Sequence, residues 1–374
     1  MTGTAADTPE MLDTLLGFLE RDPANAALLA DAADAALAAR KPETARALLD
    51  RLAATGAMGV RERNLAGLAA MQMQRFDEAA KIFRALLDDG EDAPGLRFNF
   101  AWSAAAGKDS GEALRALDDA TVDALPQAAM LKVQLLHEAG KWDEAADVSR
   151  AAIARHPDHQ GLMAAVSVLA LDMEDTALAQ ACAVKAGAHP DALTTLGTLA
   201  LGDDDTAGAR ALFEKALAAN PSAPRAWIGR GLTRLLSGEG NAAGADIDRG
   251  AEMFGDHLGS WIAAGWAYFV AGDRTAARKR FATALEIDPT FAETQGSLAV
   301  LDILDGKVAE GRECATVALR LDRQSHSAAL AQMLLAAGDG DQKRAQRIFE
   351  TALTTPIDDT GRTIAQALAR IGLS

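Results

Sequence analysis

Aromatic side chains are scarce in this chain of 374 residues: they make up 5% of it and include a single tyrosine. With only eleven prolines as well, this argues against a large β-sandwich, which draws on aromatic and β-branched residues. The two cysteines, Cys182 and Cys314, stand 132 positions apart and form no CxxC pair. Two isolated thiols fit buried cysteines in a reducing cytosol better than a disulfide framework. No apolar run approaches the roughly 18 residues a membrane span requires, so no membrane insertion is expected. The first ten residues, Met1 to Glu10, lack a basic stretch followed by an apolar one, so no signal peptide is read there. Basic residues are also in deficit, 37 against 53 acidic, for a formal net charge of -16. An acidic surface repels phosphate backbones, which makes nucleic acid and anionic membranes poor partners.

What the chain does have is alanine, which carries much of its 49% hydrophobic content. Alanine is the strongest helix former because ordering it costs no side-chain entropy. The chain also repeats itself. Trp261, Gly265, Tyr268, Gly272, Ala277, Phe281, Ala284 and Pro289 follow one another at spacings that recur, in weaker form, along almost the whole sequence. Residues 60–93 keep Gly67, Phe76-Asp77-Glu78-Ala79 and Phe83. Residues 126–157 keep Gly140, Trp142-Asp143-Glu144-Ala145, Ala152 and Pro157.

The set from Trp261 to Pro289 resembles the tetratricopeptide-repeat (TPR) pattern at all eight of its usual positions. The resemblance implies an all-α fold, a right-handed superhelical solenoid of about ten helix pairs with end helices. Starts fall near residues 26, 60, 94, 126, 158, 190, 224, 258, 292 and 326. The expected division is an N-terminal segment with a leading helix (1–25), the array (26–359) and a C-terminal capping helix (360–374). Twenty-two helices follow from ten pairs and two end helices. The physics stands apart from the family. Small residues at repeat positions 8 and 20 let two helices approach, and large ones at 4, 11 and 24 fill the space between. Gly140-Lys141, Gly202-Asp203 and Gly272-Asp273 fall where the first helix must stop and the chain reverse.

Chemistry is sparse. Of the six histidines, only His156 and His159 are close, and Pro157 between them marks a helix end rather than a metal-binding face. Gly238-Glu239-Gly240 with Gly244 follows a helix and has the wrong spacing for a phosphate loop. Asp203-Asp204-Asp205 lacks a glutamate at calcium-loop distance. No catalytic residue, cofactor or metal site is expected, and the chain reads as a non-enzyme.

The resemblance implies that a ligand lies along the first helices, at positions 2, 5, 9 and 12. Those positions supply Asn64, Leu68 and Met71, then Phe98 and Trp102 with Asn99 beside them, then Met130, Gln134 and His137. Further on come Leu162, Val166 and Leu169, then Ile228, Leu232 and Leu235, then Ile262, Trp266 and Phe269, then Val300, Ile303, Leu330 and Leu334. So apolar a line marks an interaction surface unless neighbouring repeats bury it, which is the expectation for Leu232 and Leu334. Asn64 and Asn99 recur without the lysines of the TPR clamp for a C-terminal carboxylate, and two asparagines do not make the asparagine ladder of sugar-transferring relatives. The expected function is a cytoplasmic adaptor or chaperone that holds an apolar or amphipathic segment of a client protein. The alternative is a recognition arm that presents a client, such as a secreted or flagellar protein, to a separate modifying enzyme.

Overall fold

The computed structural model describes residues 7–56 and 58–354. Among them there are helices and no strands. The leading helix α1 (Asp7–Arg21) precedes helix pairs α2 (Ala26–Ala38)/α3 (Pro42–Ala54), α4 (Val60–Gln72)/α5 (Phe76–Asp88) and α6 (Pro94–Ala106)/α7 (Ser110–Ala116). A short α8 (Asp119–Ala124) follows, then α9 (Pro126–Glu138)/α10 (Trp142–Arg155) and α11 (Gln160–Asp172)/α12 (Thr176–Ala186). These form one compact unit, Met1–Ala186. The second unit, Gly187–Ser374, holds α13 (Pro190–Gly202)/α14 (Thr206–Ala219), α15 (Pro224–Leu236)/α16 (Gly240–Phe254), α17 (Leu258–Val270)/α18 (Arg274–Ile287), α19 (Ala292–Leu304)/α20 (Val308–Leu321) and α21 (His326–Gly338)/α22 (Gln342–Thr354).

The helix count of 22 among the described residues agrees with expectation, but its make-up does not. The expected closing helix at Thr360 to Ile371 lies outside the described residues. The unexpected member is α8, started by Asp118, whose Oδ1 accepts from the Thr121 N–H at 2.8 Å. It follows α7, the second helix of its pair, which runs for only 7 residues.

One device reverses the chain in every pair. Position 15 of each repeat has a left-handed backbone: Arg40, Gln74, Lys108, Gly140, Glu174, Asp204, Gly238, Gly272, Gly306 and Gly340. The next residue's N–H reaches back to a carbonyl in the last turn of the first helix, as Asp273 does to Tyr268 O at 2.9 Å, closing a Schellman-type end. Where that residue is aspartate it also caps the second helix. Asp109, Asp205 and Asp273 each accept a backbone N–H three residues on. The acidic run 203–205 is therefore a turn and a cap.

Between the two helices of a pair, size is complementary. Phe83, Phe213 and Phe281 at position 24 are fully buried and face Gly67, Gly197 and Gly265 at position 8. In α9/α10 the order is inverted, with buried Val133 at position 8 and Ser149 at position 24. The pair α21/α22 breaks the rule: Met333 occupies position 8, and Phe349, its partner position, stands 49% exposed.

Indoles lock the turns between repeats. Trp227 Nε1 donates to Pro221 O at 2.8 Å and Trp261 Nε1 to Gly255 O at 2.7 Å. Gln295 at the same repeat position donates to Pro289 O at 3.1 Å. Arginines then tie one repeat to the next. Arg278 at position 21 reaches Asp302 at 2.8 Å and Asp305 at 2.9 Å, and Arg312 reaches Asp339 at 3.0 Å. Asp248, nearly buried, accepts from Arg280 Nε at 2.6 Å, from Arg280 Nη2 and from Tyr268 OH at 2.9 Å. Burial, then the hydrogen bond to Asp248, pushes the Tyr268 phenol above its ordinary value.

Candidate binding face

Packing of pair on pair leaves one side of each first helix to be covered or not, and the two units differ. In the first unit α4 lies beside α6 and α6 beside α9. Asn64, Leu68 and Met71 on α4, Phe98 and Asn99 on α6, and Met130 and Gln134 on α9 are all half-buried. Trp102, at position 9 of its repeat, is 36% exposed. Its indole stands edge-on to Phe76 of α5, with ring centroids 5.4 Å apart and planes at 80°, an arrangement that favours aromatic pairs. That contact fixes the indole while leaving part of its surface to solvent. The side-chain amides of Asn64, Asn99 and Gln134 have no protein hydrogen-bond partner among the described residues, and none of them is a buried orphan. They retain donors and acceptors for a ligand.

The neighbouring positions on α11 behave otherwise. Leu162, Val166 and Leu169 are buried, which corrects the expectation that they line a binding face. The reason is legible in the helix itself, whose run from Leu162 to Ala170 is apolar but for Ser167 and is buried except at Val168. His137 lies against this region and pairs with Asp172 at 2.9 Å.

In the second unit Ile262, Trp266 and Phe269 share the side of α17 that Trp102 occupies on α6, and all three are half-buried. Trp266 packs edge-on against Phe269 at 5.2 Å and against fully buried Phe281 at 5.6 Å. It also joins the cluster of Ala299, Val300 and Leu335. Val300 is buried, so its expected place on a binding face is corrected too. Leu232 and Leu334 join core clusters, as expected of them. Trp227 is held between Arg230 and Arg249, whose guanidinium carbons lie 4.5 and 4.3 Å from its ring centre. Sequence reading missed this sandwich; its signal is a tryptophan followed by arginine at the third position, with a second arginine on the next helix.

Three of the histidines cap helices. Nδ1 of His159, His189 and His257 accepts from the first-turn N–H groups of α11, α13 and α17 at 3.0 to 3.3 Å, and His156 Nε2 lies 3.2 Å from Asp123 O. No group of three or more histidines, cysteines or carboxylates is placed to hold a metal among the described residues. No described helix is long and apolar enough to cross a membrane. Burial raises the thiols of Cys182 and Cys314, which leaves them poor nucleophiles.

No curated protein matches the sequence. The chain is similar in structure to a human IFIT1 dimer with PPP-AAAA, at 13% identity over 94% of each chain with a TM-score of 0.53. It is similar to an IFIT1 monomeric mutant with Gppp-AAAA at 12% identity over 92% of this chain and 94% of that one, TM-score 0.52. A crystal structure of MamA aligns at 20% identity over 43% of this chain and 90% of that one, with a TM-score of 0.35. At these identities the likeness to IFIT1 shows an all-α repeat fold. The model of a tetratricopeptide-repeat family matches residues 64–129, 98–160 and 194–256, which brackets the α4–α6–α9 face and shows tetratricopeptide repeats in those stretches, on the same helix-pair register that runs through both units.

Proposed function

We propose that the chain is a protein-binding scaffold whose ligand is an apolar or amphipathic segment of a client protein, held on the α4–α6–α9 face. The carrying observation is the partly exposed Trp102, anchored by Phe76, with half-buried Phe98 on the same helix and half-buried Leu68, Met71 and Met130 on the adjacent α4 and α9. Tryptophan and methionine recur at adaptable contact surfaces. The partnerless amides of Asn64, Asn99 and Gln134 supply hydrogen bonds to a peptide backbone laid between these apolar groups. Ile262, Trp266 and Phe269 form a second candidate patch, more committed to core packing through Phe281. A role in folding or delivering the client, as a cytoplasmic chaperone or adaptor, is part of the same reading.

Selection of peptides from a random library on the full chain, followed by affinity measurement, tests it. Selected sequences should carry apolar residues at helical or strand spacing. Trp102→Ala should weaken them by about 2 kcal/mol, the loss of an aromatic anchor, with little change in melting. Peptides that bind the Trp102→Ala chain and the parent equally would refute this face. The IFIT1 structures hold RNA-type ligands, whereas the net charge of -16 opposes a phosphate backbone here. Retention of a 5′-triphosphate oligoadenylate at physiological salt would overturn that exclusion.

A further inference from the structure

A cleft of about 450 Å³ opens in the second unit, where the α20–α21 turn meets α22. Its wall is formed by Arg323, Ser325, His326, Arg344, Arg347 and Thr351, with no carboxylate among its described lining residues. In a chain with an excess of acid, that local balance is unusual. Arginines elsewhere in the molecule are mostly paired, as Arg278, Arg280 and Arg312 are. Arg323, Arg344 and Arg347 have no ion pair among the described residues. Arg344 makes only a 3.5 Å contact with Gln332 and Arg347 a 3.4 Å contact with the Lys343 carbonyl.

The carboxylates near the cleft are already engaged, Glu350 accepting from Gln346 Nε2 at 2.9 Å. Asp322 accepts from the Gln324 N–H, and Asp341 from the Arg344 N–H. Glu293 takes the His326 and Ser327 N–H groups. His326 Nε2 is enclosed and has no hydrogen-bond partner. The first-unit cleft between α5 and the α6–α7 turn is a contrast. It contains Arg84 and Lys81, but Asp77, Asp109 and Glu112 share its wall, and Arg84 pairs with Glu112. That cleft neutralises itself; the α20–α22 cleft does not.

We infer that the α20–α22 cleft binds the carboxylates of an acidic peptide segment, with Arg323, Arg344 and Arg347 as its cationic contacts. A guanidinium presents two parallel donors that match a carboxylate. Three of them around one opening accommodate successive acidic side chains. Because the chain carries a net charge of -16, it disfavours such a ligand as a whole, so a local basic cleft fixes where the ligand docks as well as how strongly. This site is independent of the α4–α6–α9 face and stands or falls without it.

The test uses the full chain with fluorescein-labelled hexaglutamate and hexaglutamine, read by fluorescence anisotropy. Hexaglutamate should bind, more tightly than hexaglutamine, and its affinity should fall as salt is raised. The double variant Arg344→Ala/Arg347→Ala should weaken hexaglutamate by about tenfold or more with an unchanged circular dichroism spectrum. Arg150→Ala, at an exposed arginine paired with Asp147, should bind as the parent does. Equal binding of the two peptides, or equal loss in Arg150→Ala, overturns the assignment. Inorganic phosphate displacing the probe at lower concentration than unlabelled hexaglutamate also overturns it, in favour of a phosphate site.

Discussion

Gly265 lies mid-helix in α17, and the space its missing side chain leaves is filled by Phe281. A Cβ added there would lie 2.3 Å from Phe281 Cε1 and 2.5 Å from Cδ1, about 0.9–1.1 Å or more inside ordinary contact. Phe281 is fully buried and held by Trp266 and Leu301, so the ring has nowhere to retreat. Overpacking of this kind costs about 1–3 kcal/mol, and three ring atoms in conflict place it at the upper end. Alanine meanwhile favours the helix over glycine by about 1 kcal/mol. Gly265→Ala should therefore destabilise the second unit by about 1–2 kcal/mol. Gly17→Ala, with nothing near its added Cβ, should stabilise α1 by about 0.5–1 kcal/mol. Adding Phe281→Leu to Gly265→Ala should recover part of the loss. Urea unfolding followed by far-ultraviolet circular dichroism reads all three, with the transition treated as an array rather than two-state. A Gly265→Ala chain as stable as its parent, or more so, would refute the size pairing of positions 8 and 24.

Trp261→Phe should lose about 1 kcal/mol, the hydrogen bond to Gly255 O, and Trp261→Ala about 3–5 kcal/mol; urea unfolding of both checks this. Asp248→Asn should cost about 3–5 kcal/mol, because it leaves Arg280 uncompensated at a nearly buried site, and thermal melting reads it. Arg46's hydrogen bond holds the Glu78 carboxyl below its ordinary value, so its stabilising effect is present above the unfolded value and lost as pH falls through the folded one. Glu78→Gln should therefore narrow the stability gap between neutral and acid pH in denaturant titrations.

The repeat register was legible because its signals are local. Small residues at positions 8 and 20 and a glycine before the reversal sit within one helix pair, and nine of ten predicted starts coincide with the first residue of a helix. The start near 158 falls at Gln160 instead, since His159 is its cap. The α8 insertion escaped because a 7-residue second helix followed by a six-residue one mimics a single longer helix in periodicity. The Arg–Asp ties escaped for a different reason. Arg278 and Asp305 are 27 positions apart, beyond any helix-local rule, although the same offset joining Arg312 to Asp339 makes them readable once the repeat is aligned. On the candidate face, residue type alone did not distinguish Trp102 from Trp266. Both occupy position 9, and exposure depends on what packs around each: Phe76 of the preceding pair at the edge of Trp102, and Phe269 and Phe281 of its own pair, with Val300 of the next, around Trp266.

The left-handed residue at position 15 also bears on the order in which the chain folds. From Gly238 onward every reversal has glycine there, whereas in residues 1–186 only Gly140 does, and Arg40, Gln74, Lys108 and Glu174 hold the same conformation with side chains. An L-residue in that region costs about 1–2 kcal/mol, a penalty each hairpin meets before any neighbour can compensate it. Helix hairpins that close without that penalty form most readily as isolated seeds, and an array grows outward from its seed. Pulsed hydrogen exchange during refolding should accordingly find protection in α15 through α21 before it appears in α2 through α7, so that this stretch templates the hairpins whose reversals are individually unfavourable.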